Sequence, residues 1–226
     1  MKLDLSSYFS SYEALVAQID GVFNKVANDF PTEVACRKGC SDCCHALFDI
    51  SLVEALYLNS KFLELDEGTR HKILIDADKA DRKVNVLKRK LSKAAAQEDT
   101  SKILAQVGKE RIRCPLLDSD NQCKLYDFRP ITCRLYGIPL EIDGKSHTCG
   151  LSAFTSGKPY PTVKVERIQD MLMEMSDQVL AHLGSTYVDF RYMLVPVSTA
   201  LMTVYDESYF GVLSEKQSQQ NSSGDA

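Results

Sequence analysis

Eight cysteines, gathered into two groups, constrain this chain more than any other feature of its sequence. The first group places four thiols within nine residues, Cys36, Cys40, Cys43 and Cys44. The second group follows after 69 cysteine-free residues and comprises Cys114, Cys123, Cys133 and Cys149. A reduced chain has little reason to carry such a density of thiols unless they bind something, and metals are the usual partners of clustered cysteines. We therefore predict that folding brings the groups at 36–44 and 114–149 together and that all eight cysteines are candidate metal ligands.

The size and composition of the chain argue against a disulfide framework. With 226 residues, 44% of them hydrophobic, it can bury a core without covalent cross-links. Disulfide frameworks are typical of short secreted chains, and the first twenty residues lack the apolar run of a secretory signal. The uncharged stretch 192–205 is shorter than the roughly 20 residues that span a bilayer. These features predict a cytoplasmic protein without a membrane partner.

The net charge is −4 and the isoelectric point is about 5.6. Such a balance gives no general attraction to nucleic acid, so no nucleic-acid partner is indicated. The sequence identifies no protein partner either.

Apolar residues spaced by three and four predict several helices. The predicted segments are 8–28, 51–65 (opening on a capping box formed by Ser51 and Glu54), 67–97, 101–107, 165–183 and 197–205. Between 113 and 157, turn signals such as Asp143-Gly144 predict hairpins and loops, with a short helical turn after Pro130. The expected fold is mainly α: a helical single domain, 1–213, with a small irregular β/loop cysteine-rich region. The polar segment 214–226 is predicted to be a disordered tail.

The spacing of the first cysteine group lets its thiols converge. On a helix, these four side chains would occupy one stripe about 100° wide. Gly39 favours a loop entering a helix near Ser41, which would achieve the same convergence. Because Cys43 and Cys44 are adjacent, their side chains diverge, and one of them could serve a second centre.

The donor set leaves the identity of the metal open between two alternatives. Zinc is usually held by two pairs of ligands, with only two to four residues between the members of each pair. The second group instead has 8, 9 and 15 residues between successive cysteines. Iron–sulfur clusters accept four cysteines at looser spacing, so we favour a cluster over zinc. His45 and His147 are the histidines placed to add a ligand, although eight cysteines already exceed the needs of one centre.

Two arginines near Cys133 could stabilise a negatively charged site. Arg129 and Arg134 could donate hydrogen bonds to the sulfurs and offset their charge. The alternative for Arg129 is an ordinary ion pair with Asp127 or Asp118. Tyr126 could lie over the site, but we favour a place in the core for it.

The spacing Cys36-x3-Cys40-x2-Cys43 also matches the cluster motif of radical S-adenosylmethionine enzymes. The rest of the chain does not match that family, because it lacks a Gly-Gly-Glu motif and the alternating strands and helices of a barrel. Three thiolates on a four-iron cluster would still leave one iron free for a fourth ligand or a substrate.

Both cysteine groups together resemble the YkgJ-type cysteine-cluster family, to which zinc or iron chelation is ascribed. The matching motifs are Cys36-x3-Cys40-x2-Cys43-Cys44, Cys114-Pro-Leu-Leu-x5-Cys123-Lys-Leu-Tyr-Asp-Phe-Arg-Pro-Ile-Thr-Cys133-Arg and, as a further cysteine of longer members, Cys149. The first spacing has three residues where many members have two. The resemblance implies metal binding, and because some relatives with this cysteine pattern are flagellin lysine methylases, it allows an enzyme that uses S-adenosylmethionine.

Three functions therefore compete. The first is a protein whose bound cluster or zinc is structural or transfers electrons. The second is a metal-dependent enzyme related to the lysine methylases, although no glycine-rich nucleotide loop, paired carboxylates or Ser/His arrangement supports one. The third is a metal-handling or redox-sensing protein that uses exposed thiols. The sequence leaves open whether the protein is an enzyme.

Overall fold

The fold is mainly helical, as the sequence predicts. A computed structural model describes residues 4–95 and 110–212 of the chain. Within them lie six α-helices: α1 (Ser6–Asp29), α2 (Leu52–Leu63), α3 (Glu67–Ala95), α4 (Ile131–Leu135), α5 (Val165–Leu183) and α6 (Val197–Met202). Five short strands accompany them: β1 (Asp49–Ser51), β2 (Leu140–Ile142), β3 (Lys145–His147), β4 (Val163–Lys164) and β5 (Leu194–Pro196). The predicted helix at 101–107 and the predicted tail at 214–226 fall outside the described residues.

Helix α2 is the centre of the molecule. Every residue from Leu52 to Asn59 is buried, and Phe62 is buried as well. A helix that is buried on all sides is surrounded by protein. Its Val53 packs with α1, α4 and α5, its Leu58 with α3 and α6, and its Leu56 with the C-terminal segment around Phe210. The three parts of the core therefore meet on this one helix.

The outer helices are amphipathic, and their apolar stripes face α2 or its neighbours. In α1 the buried positions are Tyr12, Leu15, Ile19 and Val26, which recur after three, four and seven residues and confirm the predicted helix. Val22, within the same stretch, is exposed. In α3 the buried positions include Ala77, Ala80, Val84 and Leu87, while the basic residues between them face solvent. Among the described residues, no helix combines the length and apolar character needed to cross a membrane.

The strands form two small sheets. β1 pairs antiparallel with β5, with Ile50 opposite Val195. β2 and β3 form a hairpin, and β4 adds to β2 in parallel. The hairpin turns at Asp143 and Gly144, which both have positive φ values of 49° and 70°, so the predicted turn is confirmed.

Helix α6 is shorter than the sequence pattern predicts. It ends at Met202 because Thr203 adopts an extended conformation, with φ −77° and ψ 137°. The carbonyls of Ala200 and Thr203 accept hydrogen bonds from the buried Asn59 side chain at 2.9 and 3.2 Å. This contact from α2 holds the chain where α6 ends, a tertiary contact that the local pattern does not contain.

Candidate metal centre

The first cysteine group lies in two consecutive turns rather than in a regular helix. The N–H of Cys40 donates to the carbonyl of Arg37 at 2.9 Å, and Gly39 has φ +91°. A positive φ at the third residue of such a turn strongly favours glycine. The next turn is a 3₁₀ helix over Cys43–His45, closed by the N–H of Ala46 donating to the carbonyl of Cys43 at 3.2 Å. The loop version of the sequence prediction is therefore correct.

Backbone pairing brings the second cysteine group to the first. The N–H of Cys114 donates to the carbonyl of Cys44 at 2.7 Å, and the N–H of Ile112 donates to the carbonyl of His45 at 3.1 Å. Arg111 adds an ion pair with Asp42 and a bond from its side chain to the Asp42 carbonyl at 3.1 Å. The predicted meeting of the two groups is thus confirmed at Cys114. Asp42 is one of the residues that join them.

Cys123 and Cys133 reach the same region from two further elements. A tight turn between Leu117 and Cys123 returns the chain, with Asp118 Oδ1 accepting from the N–H groups of Asp120 and Gln122 at 2.9 and 2.8 Å. Cys133 lies on α4, which begins directly after Pro130. The side chains of Cys133 and Cys44 both lie beside that of Cys43 and lower its pKa. Cys43 is thereby surrounded by thiols of both groups.

Cys36 and Cys149 lie on the other side of Cys43. A small cavity of about 10 Å³ is lined by Cys36, Cys40, Cys43 and Cys149. The thiol of Cys149 lies 3.5 Å from Asp42 Oδ2 and accepts from the N–H of Leu151 at 3.4 Å. A larger cavity of about 140 Å³ is lined by Cys40, Cys43, Cys44 and Cys123. The cysteines therefore form one continuous region with two faces, which meet at Cys40 and Cys43.

Burial and mutual repulsion keep most of these thiols protonated when no cation is bound. Burial raises the pKa of Cys36 to about 11 and that of Cys114 to about 12. It also raises the pKa values of Cys123 and Cys149. Cys43 is the exception, because the thiols of Cys133 and Cys44 donate to it and lower its pKa, while those of Cys133 and Cys44 rise in turn. Loss of a proton is therefore favoured at Cys43 over Cys44 and Cys133, and a bound cation would favour it at further thiols.

The two arginines near Cys133 have different roles. The guanidinium of Arg129 lies 3.7 Å from the centre of the Tyr126 ring. Its charge partly opposes the rise that burial causes in the pKa values of Cys36 and Cys123, and it adds to the lowering of the pKa of Cys43. Among the described residues, its side chain makes no ion pair with Asp127 or Asp118. Arg129 therefore offsets negative charge at the thiols, and Tyr126, which lines the larger cavity beside it, belongs to the site rather than to the core.

Arg134 is a structural residue. It is only 8% exposed, and its guanidinium bonds Asp20 of α1 at 2.7 Å, the carbonyl of Arg129 at 2.9 Å and the carbonyl of Asp127. These bonds occupy the donors that the sequence interpretation assigned to the sulfurs. Arg134 fixes α1 and the Arg129 turn to α4 instead.

The two candidate histidines are placed less favourably than the cysteines. The Nδ1 atom of His45 lies 3.0 Å from the carbonyl oxygen of Ser41. His147 is exposed on β3. In the part of the chain that the structure describes, no three cysteine, histidine or acidic side chains close on a single point as a ready coordination shell. The thiols are gathered around a space and are not arranged around one ion.

These features define a class: a mainly helical protein with a thiol-rich metal-binding region between its helices. The model of one family, CxxCxxCC, described as a "putative zinc- or iron-chelating domain", matches residues 35–150. The match spans just over half of the chain and contains all eight cysteines, so the chain belongs to this family. Searches among curated proteins and solved structures found no match.

The chain departs from the spacing in the family's name by one residue. Three residues, not two, separate Cys36 from Cys40. The turn over 37–40, closed by the Cys40 N–H and shaped by Gly39, contains this longer spacing. The extra residue therefore lies in a turn of its own, before the segment that carries Cys43 and Cys44.

Proposed function

We propose that this protein binds an iron–sulfur cluster in the larger cavity of the cysteine region and uses it to transfer electrons. The observation that carries the proposal is the cavity of about 140 Å³ among Cys40, Cys43, Cys44 and Cys123. A single zinc ion lies about 2.3 Å from each of its sulfurs and needs no such space. A cluster of several iron and sulfide atoms needs a cavity between its cysteines.

The surroundings of the cavity support a cluster as well. Thiolates around iron carry net negative charge, and Arg129 and Lys38 line the same cavity. Cys133 and Cys114 lie directly behind it, through the contacts of Cys43 and the backbone bond to Cys44. Lys38, Gly39 and Gln122 are exposed at its edge, so a bound cluster would lie near the surface. That depth suits exchange of electrons with a partner.

The first experiment is anaerobic purification followed by iron, sulfide and zinc analysis and a visible spectrum of the same sample. We expect iron with matching sulfide and a broad absorption near 400 nm, the wavelength being approximate for such clusters. The redox proposal further requires that dithionite bleaches this band and that air restores it. Colourless protein with stoichiometric zinc would contradict the proposal and leave the zinc alternative.

Serine variants locate the centre. We expect Cys43→Ser and Cys123→Ser to abolish iron binding, because both residues line the larger cavity. Cys149→Ser should retain the iron, since Cys149 lines only the smaller cavity. Ser152→Ala, which also lines the smaller cavity, is the control for a substitution beside the site. Iron loss in Cys149→Ser alone would place the centre on the other face of Cys43.

The alternative of a methylase has its own test on the same preparation. S-adenosylmethionine added at millimolar concentration should leave the melting temperature of the metal-loaded protein unchanged if the protein is an electron carrier. A clear rise would favour the enzyme.

A further inference from the structure

The outward face of α3 changes its charge pattern along the helix. In the first half, acids lie among the cations, and Lys79 pairs with Asp76 at 2.9 Å. Arg82 pairs with Asp78 at 3.0 Å. After that point the pattern stops, because residues 82–93 contain six cations and no acid. Charges of alternating sign are typical of a helix face that only meets solvent, and the second half of α3 departs from that pattern.

Val86 lies at the centre of this acid-free stretch. Its neighbours three and four residues away on the helix, which share its face, are all cationic: Arg82, Lys83, Arg89 and Lys90. These four residues are exposed, and Val86 itself is 53% exposed. Within the described parts of the chain, no carboxylate pairs with the last three cations. An apolar centre inside a charged rim is the arrangement of a small docking surface.

The exposed cations are not used to fix α3 in the fold. The buried face of this half of the helix, which includes Ala80, Val84 and Leu87, packs on the core. Lys88 reaches β1 instead, where it pairs with Asp49 at 2.7 Å. The outward cations take no part in that packing, and like charges four residues apart on a helix repel each other. A partner with carboxylates would offset this repulsion.

The charge of the remaining chain favours a compact acidic partner over an extended polyanion. The chain carries −4 overall and residues 82–93 carry +6, so the rest of it carries −10. At 1.5 Å per residue, the acid-free stretch is about 18 Å long. Duplex nucleic acid or an anionic membrane extends well beyond this length and would meet the negative remainder. A protein segment as short as the stretch itself would not.

From these observations we propose that the outward face of α3 docks an acidic segment of a partner protein, in which carboxylates surround one apolar side chain. The carboxylates pair with Lys83, Arg89 and Lys90, and the apolar side chain lies on Val86. Complementary charge of this kind governs the choice of partner and the rate of association more than the affinity. This face contains no cysteine, so docking here is independent of the metal centre.

The test uses the full-length, metal-loaded protein and a helical peptide of about twelve residues, the length of the acid-free stretch. The peptide carries glutamates three and four positions from a central leucine, and a matched peptide carries glutamines instead. In calorimetric titrations at low salt we expect the acidic peptide to bind at least about tenfold more tightly. Raising the salt from about 0.05 M to about 0.5 M should remove most of this difference, because salt screens exposed charges. No binding at millimolar acidic peptide, or equal binding of both peptides, would overturn the proposal.

Chemical cross-linking locates the peptide on the unaltered protein. A carbodiimide joins a carboxylate to an amine that it contacts, so we expect links from the glutamates to Lys83 and Lys90. Peptide mapping by mass spectrometry identifies the linked lysines. Links confined to lysines outside α3 would contradict the proposed surface.

Matched charge variants separate this surface from the net charge of the protein. The double variant Lys83→Glu/Lys90→Glu should weaken binding of the acidic peptide by at least about tenfold. Lys145→Glu/Lys158→Glu changes two exposed lysines outside α3 by the same net charge and should weaken binding by no more than about threefold. Unchanged melting temperatures would show that both variants fold. Equal effects of the two pairs would overturn the proposal.

A second comparison tests the apolar centre and the class of partner. Val86→Ser should weaken peptide binding by about fivefold, whereas Val22→Ser, at a similarly exposed position of α1, should change it by less than about twofold. Equal effects of these two substitutions would contradict the central contact. Tighter binding of a duplex oligonucleotide or of phosphatidylserine vesicles than of the peptide, lost in Lys83→Glu/Lys90→Glu, would overturn the proposal in favour of a polyanion.

Discussion

At the scale of single residues, Gly137 shows how closely the chain packs behind the cysteines. A Cβ atom at this position would overlap the Cβ of Cys36 and lie 3.3 Å from the Phe23 ring. Real side chains do not approach so closely, so Cys36 can occupy its place only because residue 137 has no side chain. Nothing in the local sequence marks this glycine, since its partner lies a hundred residues earlier.

We expect Gly137→Ala to lower the free energy of unfolding by about 1 to 3 kcal/mol, the usual effect of overpacking a core. Gly21→Ala is the matched control, because a side chain there meets nothing within 4 Å. Because Gly21 lies in the middle of α1, Gly21→Ala should raise the free energy of unfolding by roughly 0.5 to 1 kcal/mol. Chemical denaturation of both variants checks the pair. Equal effects of the two substitutions would contradict the close contact with Cys36.

The protonated state of the thiols predicts how metal affinity depends on pH. Burial holds the pKa values of Cys36 and Cys114 at about 11 and about 12, so each thiol must lose a proton when it binds metal. Apparent affinity should therefore rise as pH increases, by about tenfold per pH unit for every proton released. Zinc titrated into the metal-free protein against a chromophoric chelator, between about pH 6 and pH 8, measures this slope. An affinity that does not change with pH would show that the ligands are already thiolates.

At the scale of elements, the capping box of α2 reaches beyond its own helix. Glu54 accepts from the N–H and the hydroxyl of Ser51 at 3.0 and 2.9 Å, which is the local motif that the sequence predicts. Its other oxygen accepts from the N–H of Ile131 at 2.9 Å, at the start of α4. One buried carboxyl group therefore fixes the start of the central helix and the start of the helix that carries Cys133.

We expect Glu54→Gln to cost about 1 to 3 kcal/mol of stability, because an amide NH₂ replaces one acceptor and meets a buried donor. Glu64→Gln, at the exposed end of the same helix, should change stability by no more than about 0.5 kcal/mol. Thermal and denaturant unfolding compare the two variants. A loss no larger than that of the control would show that Ile131 finds another acceptor.

The difference in stability between the natural protein and Glu54→Gln should depend on pH, and the raised pKa of Glu54 sets the direction of that dependence. Burial raises the pKa of Glu54, so the folded protein holds this proton more firmly than the unfolded chain does. The stability from this group is therefore complete below the ordinary glutamate range and is lost as pH rises through the raised value. The advantage of the natural protein over Glu54→Gln should shrink across that interval. An advantage that grows with pH would mean that the hydrogen bonds outweigh burial.

At the scale of the whole molecule, the cysteine region and the helical core are stabilised by different means. The core is formed by α2 and the apolar faces around it. The cysteine segments contribute few fully buried side chains, and their thiols are mostly half-buried. A bound metal would tie residues 36–44 to 114–149 and so add directly to the stability of this part.

Metal removal should therefore loosen one part of the molecule more than the other. We expect chelation to increase hydrogen exchange in residues 36–48 and 111–136, while α2 and α5 keep their protection, because local opening follows the local contacts. Exchange measured by mass spectrometry on loaded and metal-free protein tests this. Uniform loss of protection would show instead that the metal is required for the entire fold.

The sequence by itself determined the class of the fold and the kind of ligand. Periodic apolar residues predict the α1, α3 and α5 stripes, Ser51 and Glu54 predict the start of α2, and four thiols within nine residues indicate a metal. Each of these signals lies within a short stretch of the chain. The boundaries of the domain and the full ligand set remain predictions.

The tertiary structure decided which groups meet. Only folding places Cys43 beside Cys133 and assigns Arg134 to Asp20 instead of the sulfurs. These contacts join residues tens to more than a hundred positions apart. Their geometry depends on how whole helices pack, which no local pattern of residues encodes.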